Sequence, residues 1–170
     1  MLPNLKIDQI AFLARTDEDE HLIKYRLGLL DAEWIEDVVK AEGLVDGDWN
    51  TNVAKLLFNE DYGIQVEILR YLNGANYTQN LKAGEICHIG MHVSSEDSAF
   101  VPPFFNSKVA QEVETISHTN EFLTTIGRRY HYTVYDTRKL FGVHFKIIQR
   151  IEDSITIRPQ PRVLKDDPQA

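Results

Sequence analysis

Tyr62-Gly-Ile-Gln-Val-Glu-Ile-Leu-Arg70 returns later in the chain as Phe141-Gly-Val-His-Phe-Lys-Ile-Ile-Gln149, a displacement of 141 − 62 = 79 positions. The same displacement lays Ile7-Asp-Gln-Ile-Ala-Phe12 on Ile86-Cys-His-Ile-Gly-Met91. It also lays Thr16-Asp-Glu on Ser95-Glu-Asp, and Glu33-Trp-Ile-Glu on Glu112-Val-Glu-Thr. Short apolar strands resemble one another by chance, but four matches in one register without a gap point to a duplicated module. A chain of 170 residues is long enough for two small modules sharing one core.

Each copy reads as strand, helix and three strands. The opening strands are Lys6 to Ala14 and Cys87 to Val93. Thr16-Asp-Glu-Asp and Ser95-Glu-Asp-Ser then supply a hydroxyl N-cap followed by acids in the first helical turn. The first helix runs through His21-Leu-Ile-Lys-Tyr-Arg-Leu to Gly28, a C-terminal glycine. In the second copy Pro102-Pro103 forbids a regular helix interior, which predicts a shortened helix or one restarted around Phe104 to Ala110. The remaining strands are Ala32 to Val39, Asn52 to Phe58 and Gly63 to Leu72, then Gln111 to Ile116, Arg129 to Tyr135 and Gly142 to Ile151. The expected organisation is a module over 1–72, a linker over 73–84, a second module over 85–157 and an extended tail over 158–170.

Alternate residues of a strand face opposite sides. On the first and last strand of each copy, one face is apolar throughout: Ile10 and Phe12, Val66 and Ile68, Ile89 and Met91, Phe145 and Ile147. Helices are expected to cover it. The other face reads Gln9 and Ala11, Gln65 and Glu67, His88, Gly90 and His92, His144, Lys146 and Ile148. A solvated sheet face would explain such a pattern. A concave polar cleft explains it as well, because imidazoles and amides beside small Ala11 and Gly90 leave room for a ligand. By parity Cys87 points away from His88, into the helix-side core.

Charge narrows the ligand. With 18 basic and 26 acidic residues the formal charge is −8, and a phosphate-binding face needs clustered cations. Nucleic acid is therefore not the expected partner, and a small molecule is. One cysteine allows no intrachain disulfide or cysteine-based zinc site. No window approaches a membrane span, and a reducing, cytoplasmic setting is expected.

The repeat, the strand patterns and the Gly-x-x-x-Glu ending of the first copy (Gly63 to Glu67) resemble the vicinal-oxygen-chelate superfamily, from about residue 5 to about residue 151. That superfamily includes glyoxalase I, extradiol dioxygenases and the bleomycin- and fosfomycin-resistance proteins. The resemblance implies an α+β fold of two tandem βαβββ modules forming a cupped mixed sheet with helices outside. It implies one divalent metal (zinc, nickel, iron or manganese) held by residues on first and last strands, with no organic cofactor, and modules pairing within one chain or across a homodimer. The ligand positions fall on Gln9, Glu67 and His88, with Lys146 at the fourth.

Lys146 departs from the pattern, since an ammonium has donors only and cannot ligate a cation while charged. Either it pairs with Glu67 in place of a metal, or a substitute such as His144 or His92 completes the set. Two functions follow. One is a lyase, isomerase or dioxygenase with Glu67 and His144 as catalytic groups and His92, Lys146 and His131 lining the substrate. The other is a metal-free ligand-binding or sequestration protein of the bleomycin-resistance type. A protein-interaction role with an unused cleft is a third. Taken alone, each residue has a plainer reading: Glu67 as a sheet ion pair, the histidines as hydrogen-bonded rim residues, Tyr130, Tyr132 and Tyr135 as structural aromatics, and Arg138 as a solvated loop charge.

Overall fold

The computed structural model describes residues 6–93, 105, 108–121, 124–150 and 155–156. In chain order the elements are β1 (Gln9–Leu13), α1 (Asp17–Arg26), β2 (Ile35–Val45), β3 (Asp48–Asn59), β4 (Gln65–Asn73), β5 (Ile86–Val93), β6 (Val109–Glu121), β7 (Thr124–Tyr135), α2 (Arg138–Phe141), β8 (Phe145–Arg150) and β9 (Ile155–Thr156). Helix α1 starts where expected: the Thr16 hydroxyl accepts from the Asp19 N–H, and Asp19 closes a capping box. Four acids follow in its first turn and complement the helix dipole. Gly28, at φ 70°, ends it. Among the described residues no helix is long and apolar enough to cross a membrane. The second copy's helix signal, the Pro102-Pro103 break and the tail lie outside the described residues.

The fold is two four-stranded halves bent into one sheet. Within the first, β1 pairs parallel with β4, setting Gln9 beside Gln65 and Ala11 beside Glu67. Within the second, β5 pairs parallel with β8, setting Gly90 beside Lys146. Adding 79 to the first set of partners gives the second, so the repeat seen in the sequence is one of register. The halves join where β1 meets β5 antiparallel, with Gln9 opposite Gly90 and Ala11 opposite His88. At the far side β2 pairs with β6. The sheet therefore closes as β1-β4-β3-β2-β6-β7-β8-β5 and back to β1, all within one chain.

Closure completes the expected cup: the concave face is the inside of a barrel-like sheet. Its residues alternate along every strand, and Ala11, Leu13, Val39, Ala41, Ala54, Leu69, Val134 and Ile148 fill much of it. The outer apolar face of the first half is covered by its helix, as expected. Ile23 of α1 packs with Ala14, Leu57 and Ile68 over the first half. Phe105 stacks on Tyr135 and Phe145 over the second.

Three expectations need correction. β2 and β3 are longer than expected and meet at a two-residue turn, because Asp46 and Gly47 both take positive φ (49° and 86°), the hairpin geometry that Asp-Gly favours. The 79-residue displacement does not extend through the hairpins. Phe58 pairs with Glu67 and Val134 with Lys146, while Ile35 pairs with Phe58 and Gln111 with Val134. The hairpin displacement is therefore 134 − 58 = 111 − 35 = 76, and Glu33 does not match Glu112. Finally, a bulge between Ala11 and Phe12 carries the β5 pairing from His88 to Ile86. Cys87 consequently joins the interior cluster beside His88 instead of facing the helix side.

Candidate active site

The interior gathers four residues from four strands, two per half. Gln9 comes from β1, Glu67 from β4, His88 from β5 and Lys146 from β8. Glu67 and His88 are completely buried, and Lys146 retains 12% side-chain exposure. His88 Nε2 lies 2.9 Å from Gln9 Oε1 and 3.6 Å from Glu67 Oε2. Lys146 Nζ lies 3.8 Å from the same Glu67 oxygen and 4.7 Å above the Tyr132 ring, a cation–π arrangement. Gln9 Nε2 in turn donates to Gln65 Oε1 at 2.6 Å.

Neither carboxylate oxygen of Glu67 has a hydrogen-bond partner in the structure. Burial by itself pushes its carboxyl up. The Lys146 ammonium and the His88 ring more than offset this and hold it at about 2, ionised at neutral pH. Burial, aided by the Lys146 charge, lowers His88 to about 4, so its imidazole is neutral there. The centre thus presents an ionised carboxylate with free lone pairs, a neutral imidazole and a cation within a few ångströms of one another.

The sequence missed the aromatic and amide wall of this centre. Tyr77, from the connection between the halves, enters the interior, and its hydroxyl meets His88 Nδ1 at 2.5 Å. Its backbone N–H donates to Gln111 Oε1 at 3.0 Å, and Gln111 Nε2 donates to the Tyr71 hydroxyl at 3.2 Å. Tyr77 was legible only as a lone aromatic in an otherwise polar linker. Cys87 is buried here, and that burial pushes its thiol up to about 12.

The remaining sequence candidates lie apart from the carboxylate. His144 is buried, but its partners are the Cys87 carbonyl (Nδ1, 3.1 Å), the edge of the Tyr77 ring and, at 3.8 Å, Asp136. His92 sits half-exposed at the rim, with Nδ1 2.9 Å from Asp8 Oδ1. His131 pairs with Glu112 at 3.0 Å on the face opposite the inward-facing Tyr132, and with a displacement of 76 its counterpart is Lys55, not Asn52. Arg138 is held by both oxygens of Asp136 and is not a free anion receptor.

No family model matches the chain, and no curated protein matches it. Among solved structures it is similar to methylmalonyl-CoA epimerases. A Streptomyces coelicolor enzyme with a glutamine-to-alanine change, in complex with 2-nitronate-propionyl-CoA, is 7% identical at a TM-score of 0.41, over 86% of this chain and 98% of that one. A glutamate-to-glutamine variant with the same ligand is 8% identical, with the same TM-score of 0.41 and the same coverage of 86% and 98%. A methylmalonyl-CoA epimerase with methylmalonyl-CoA and ammonium is 8% identical at a TM-score of 0.41, over 91% of this chain and 99% of that one. The duplicated topology itself stands on this chain's own strand order and register.

Proposed function

We propose that the protein is a glyoxalase-like small-molecule enzyme that moves a proton on a carbon next to a carbonyl, with the Lys146 ammonium serving as its electrophile. The observation that carries this reading is the Glu67 carboxylate, fully buried and ionised with neither oxygen hydrogen-bonded. An unsatisfied buried polar group costs about 1–3 kcal/mol, more when charged, and such groups persist where a ligand or a reaction uses them.

A carbonyl oxygen set beside Lys146 would accept from its ammonium. Glu67 would then take the proton from the adjacent carbon: the C–H bond breaks, an O–H bond forms on Glu67, and the electron pair passes to an enolate oxygen facing the cation. A proton returned to the opposite face of the same carbon gives the epimer, and one returned to the face it left restores the substrate, so that exchange with solvent is the minimum outcome. A fixed cation at the developing negative charge lowers the barrier because it needs no reorganisation during the reaction.

Gln9, Glu67 and His88, the set that the resemblance implies for a metal, do not fit a tightly held divalent ion while Lys146 stands beside them. Unit charges 4 Å apart interact by about 4 kcal/mol at an effective dielectric near 20, so a divalent ion at that range meets roughly 8 kcal/mol of repulsion.

The test is proton exchange in D2O, followed by NMR, over carbonyl compounds carrying an acidic α-hydrogen. Exchange of at least one compound is expected, slowed about 100-fold or more by Glu67→Gln. Silence across the whole panel, or equal rates in the variant, would sink the proposal. One observation favours a second reading, metal-free ligand binding: at about 2 the Glu67 carboxylate is a weak base. Compounds that raise the melting temperature without exchanging protons would select it.

A further inference from the structure

We infer that Tyr77 is a positioning residue: it fixes the proton of His88 on Nε2, so that the ring donates to Gln9 and turns an N–H, not a lone pair, toward the Glu67 carboxylate. This rests on the proposed function only for its use, since the proton's place follows from the partners of the ring.

Nε2 faces two oxygens, Gln9 Oε1 at 2.9 Å and Glu67 Oε2 at 3.6 Å. A carboxylate only accepts, and the Gln9 amide is oriented by donating its own Nε2 to Gln65 Oε1 at 2.6 Å. Room for that Gln9 side chain exists because residue 90 is glycine: a Cβ there would lie 2.6 Å from Gln9 Oε1. With two acceptors before it, Nε2 must carry the single N–H of the neutral ring. Nδ1 is then bare and accepts from the Tyr77 hydroxyl at 2.5 Å. Burial keeps that hydroxyl protonated by pushing its pKa well up. Donation therefore runs one way, from Tyr77 through His88 and Gln9 to Gln65.

The linker is anchored to hold this geometry. Ala75 is gripped by Asn50 and Asn52, the Tyr77 N–H by Gln111, and the Thr78 carbonyl by Arg15 Nη2 at 2.7 Å. Gly74, at φ 82°, lies so close to the Thr51 carbonyl that a Cβ would stand 2.2 Å from it. The Tyr77 ring meets His144 and Tyr71 edge-on, at 5.0 and 6.2 Å between centroids. Both contacts aim the hydroxyl.

Long-range proton–nitrogen NMR on the full chain, with labelled histidine, tests the assignment. At neutral pH the wild type is expected to show His88 as the Nε2–H tautomer alone. Tyr77→Phe keeps the ring and is expected to lose that single pattern, or to shift the Nδ1 resonance toward that of an unbonded acceptor. An Nδ1–H pattern in the wild type overturns the inference, and so does a His88 spectrum unchanged in Tyr77→Phe. The wild-type pattern decides alone if the variant fails to fold. Failure of the exchange assay with the Nε2–H pattern intact would overturn the enzyme reading and leave Tyr77 in its role.

Discussion

The two halves of the barrel share a backbone plan and differ in what they place on it. β1 with β4 and β5 with β8 keep the same register, so that each residue of the first pair has a counterpart 79 positions on. Yet Glu67 answers to Lys146, Gln9 to His88, Gln65 to His144 and Ala11 to Gly90. Equivalent positions have become complementary, an anion in one half facing a cation in the other across the junction of β1 and β5. The hairpins, by contrast, have slipped by three residues (79 − 76) relative to those strands. Register held where the halves meet at the carboxylate, and drifted where only the barrel wall had to be completed.

The largest expected effect comes from removing the cation of the pair. Lys146→Met should destabilise the protein by about 3–5 kcal/mol in denaturant titration, because it leaves Glu67 buried and uncompensated. Adding Glu67→Gln should recover most of that loss. A single variant costing under about 1 kcal/mol, with no recovery in the double, would mean that the two halves are not coupled through these residues.

Acid should weaken the same junction in two overlapping stages. His88 is lowered from 6.5 to about 4, so its contribution is full above 6.5 and fades as pH falls toward 4. Glu67 is lowered from 4.5 to about 2, so its contribution is full above 4.5 and fades as pH falls toward 2. Each stage is worth about 3 kcal/mol at most. Glu67→Gln should flatten the lower limb of the stability profile and His88→Gln the upper; limbs unchanged by both variants would contradict these assignments.

A smaller effect separates Ala11 from its counterpart Gly90. Gly90→Ala should cost about 1–3 kcal/mol and displace Gln9 from His88, since the new methyl overlaps the Gln9 side chain. An unchanged melting temperature and an unchanged Gln9 amide resonance would show that the glycine is not needed for that contact.

Much of this was legible in the sequence for a physical reason. Strand pairs with a polar inner face and an apolar outer face write both their period and their register into the chain, so the polar face could be read before any coordinates, and the family resemblance then picked Gln9, Glu67, His88 and Lys146 from it. Closure was not legible, because pairing β2 with β6 depends on how far the hairpins extend. The Asp46-Gly47 turn carried that length and was not used as a strand signal. Cys87 was misassigned because a bulge breaks the alternation on which parity depends. Tyr77 escaped because periodicity says nothing about a segment that belongs to no strand. His92 was grouped with the site by strand parity and His131 by the 79-residue displacement, which does not hold in the hairpins; in the structure they pair with Asp8 and Glu112.

The insertion of Tyr77 from the inter-half connection into the barrel interior has a consequence for how this chain can be rearranged. A connection between duplicated units is ordinarily the place to cut, lengthen or permute a protein. Here new termini at that point would unseat an aromatic side chain from the chamber inside the barrel. The exposed turn at Asp46-Gly47 is the site where circular permutation or an inserted domain would leave the chamber intact.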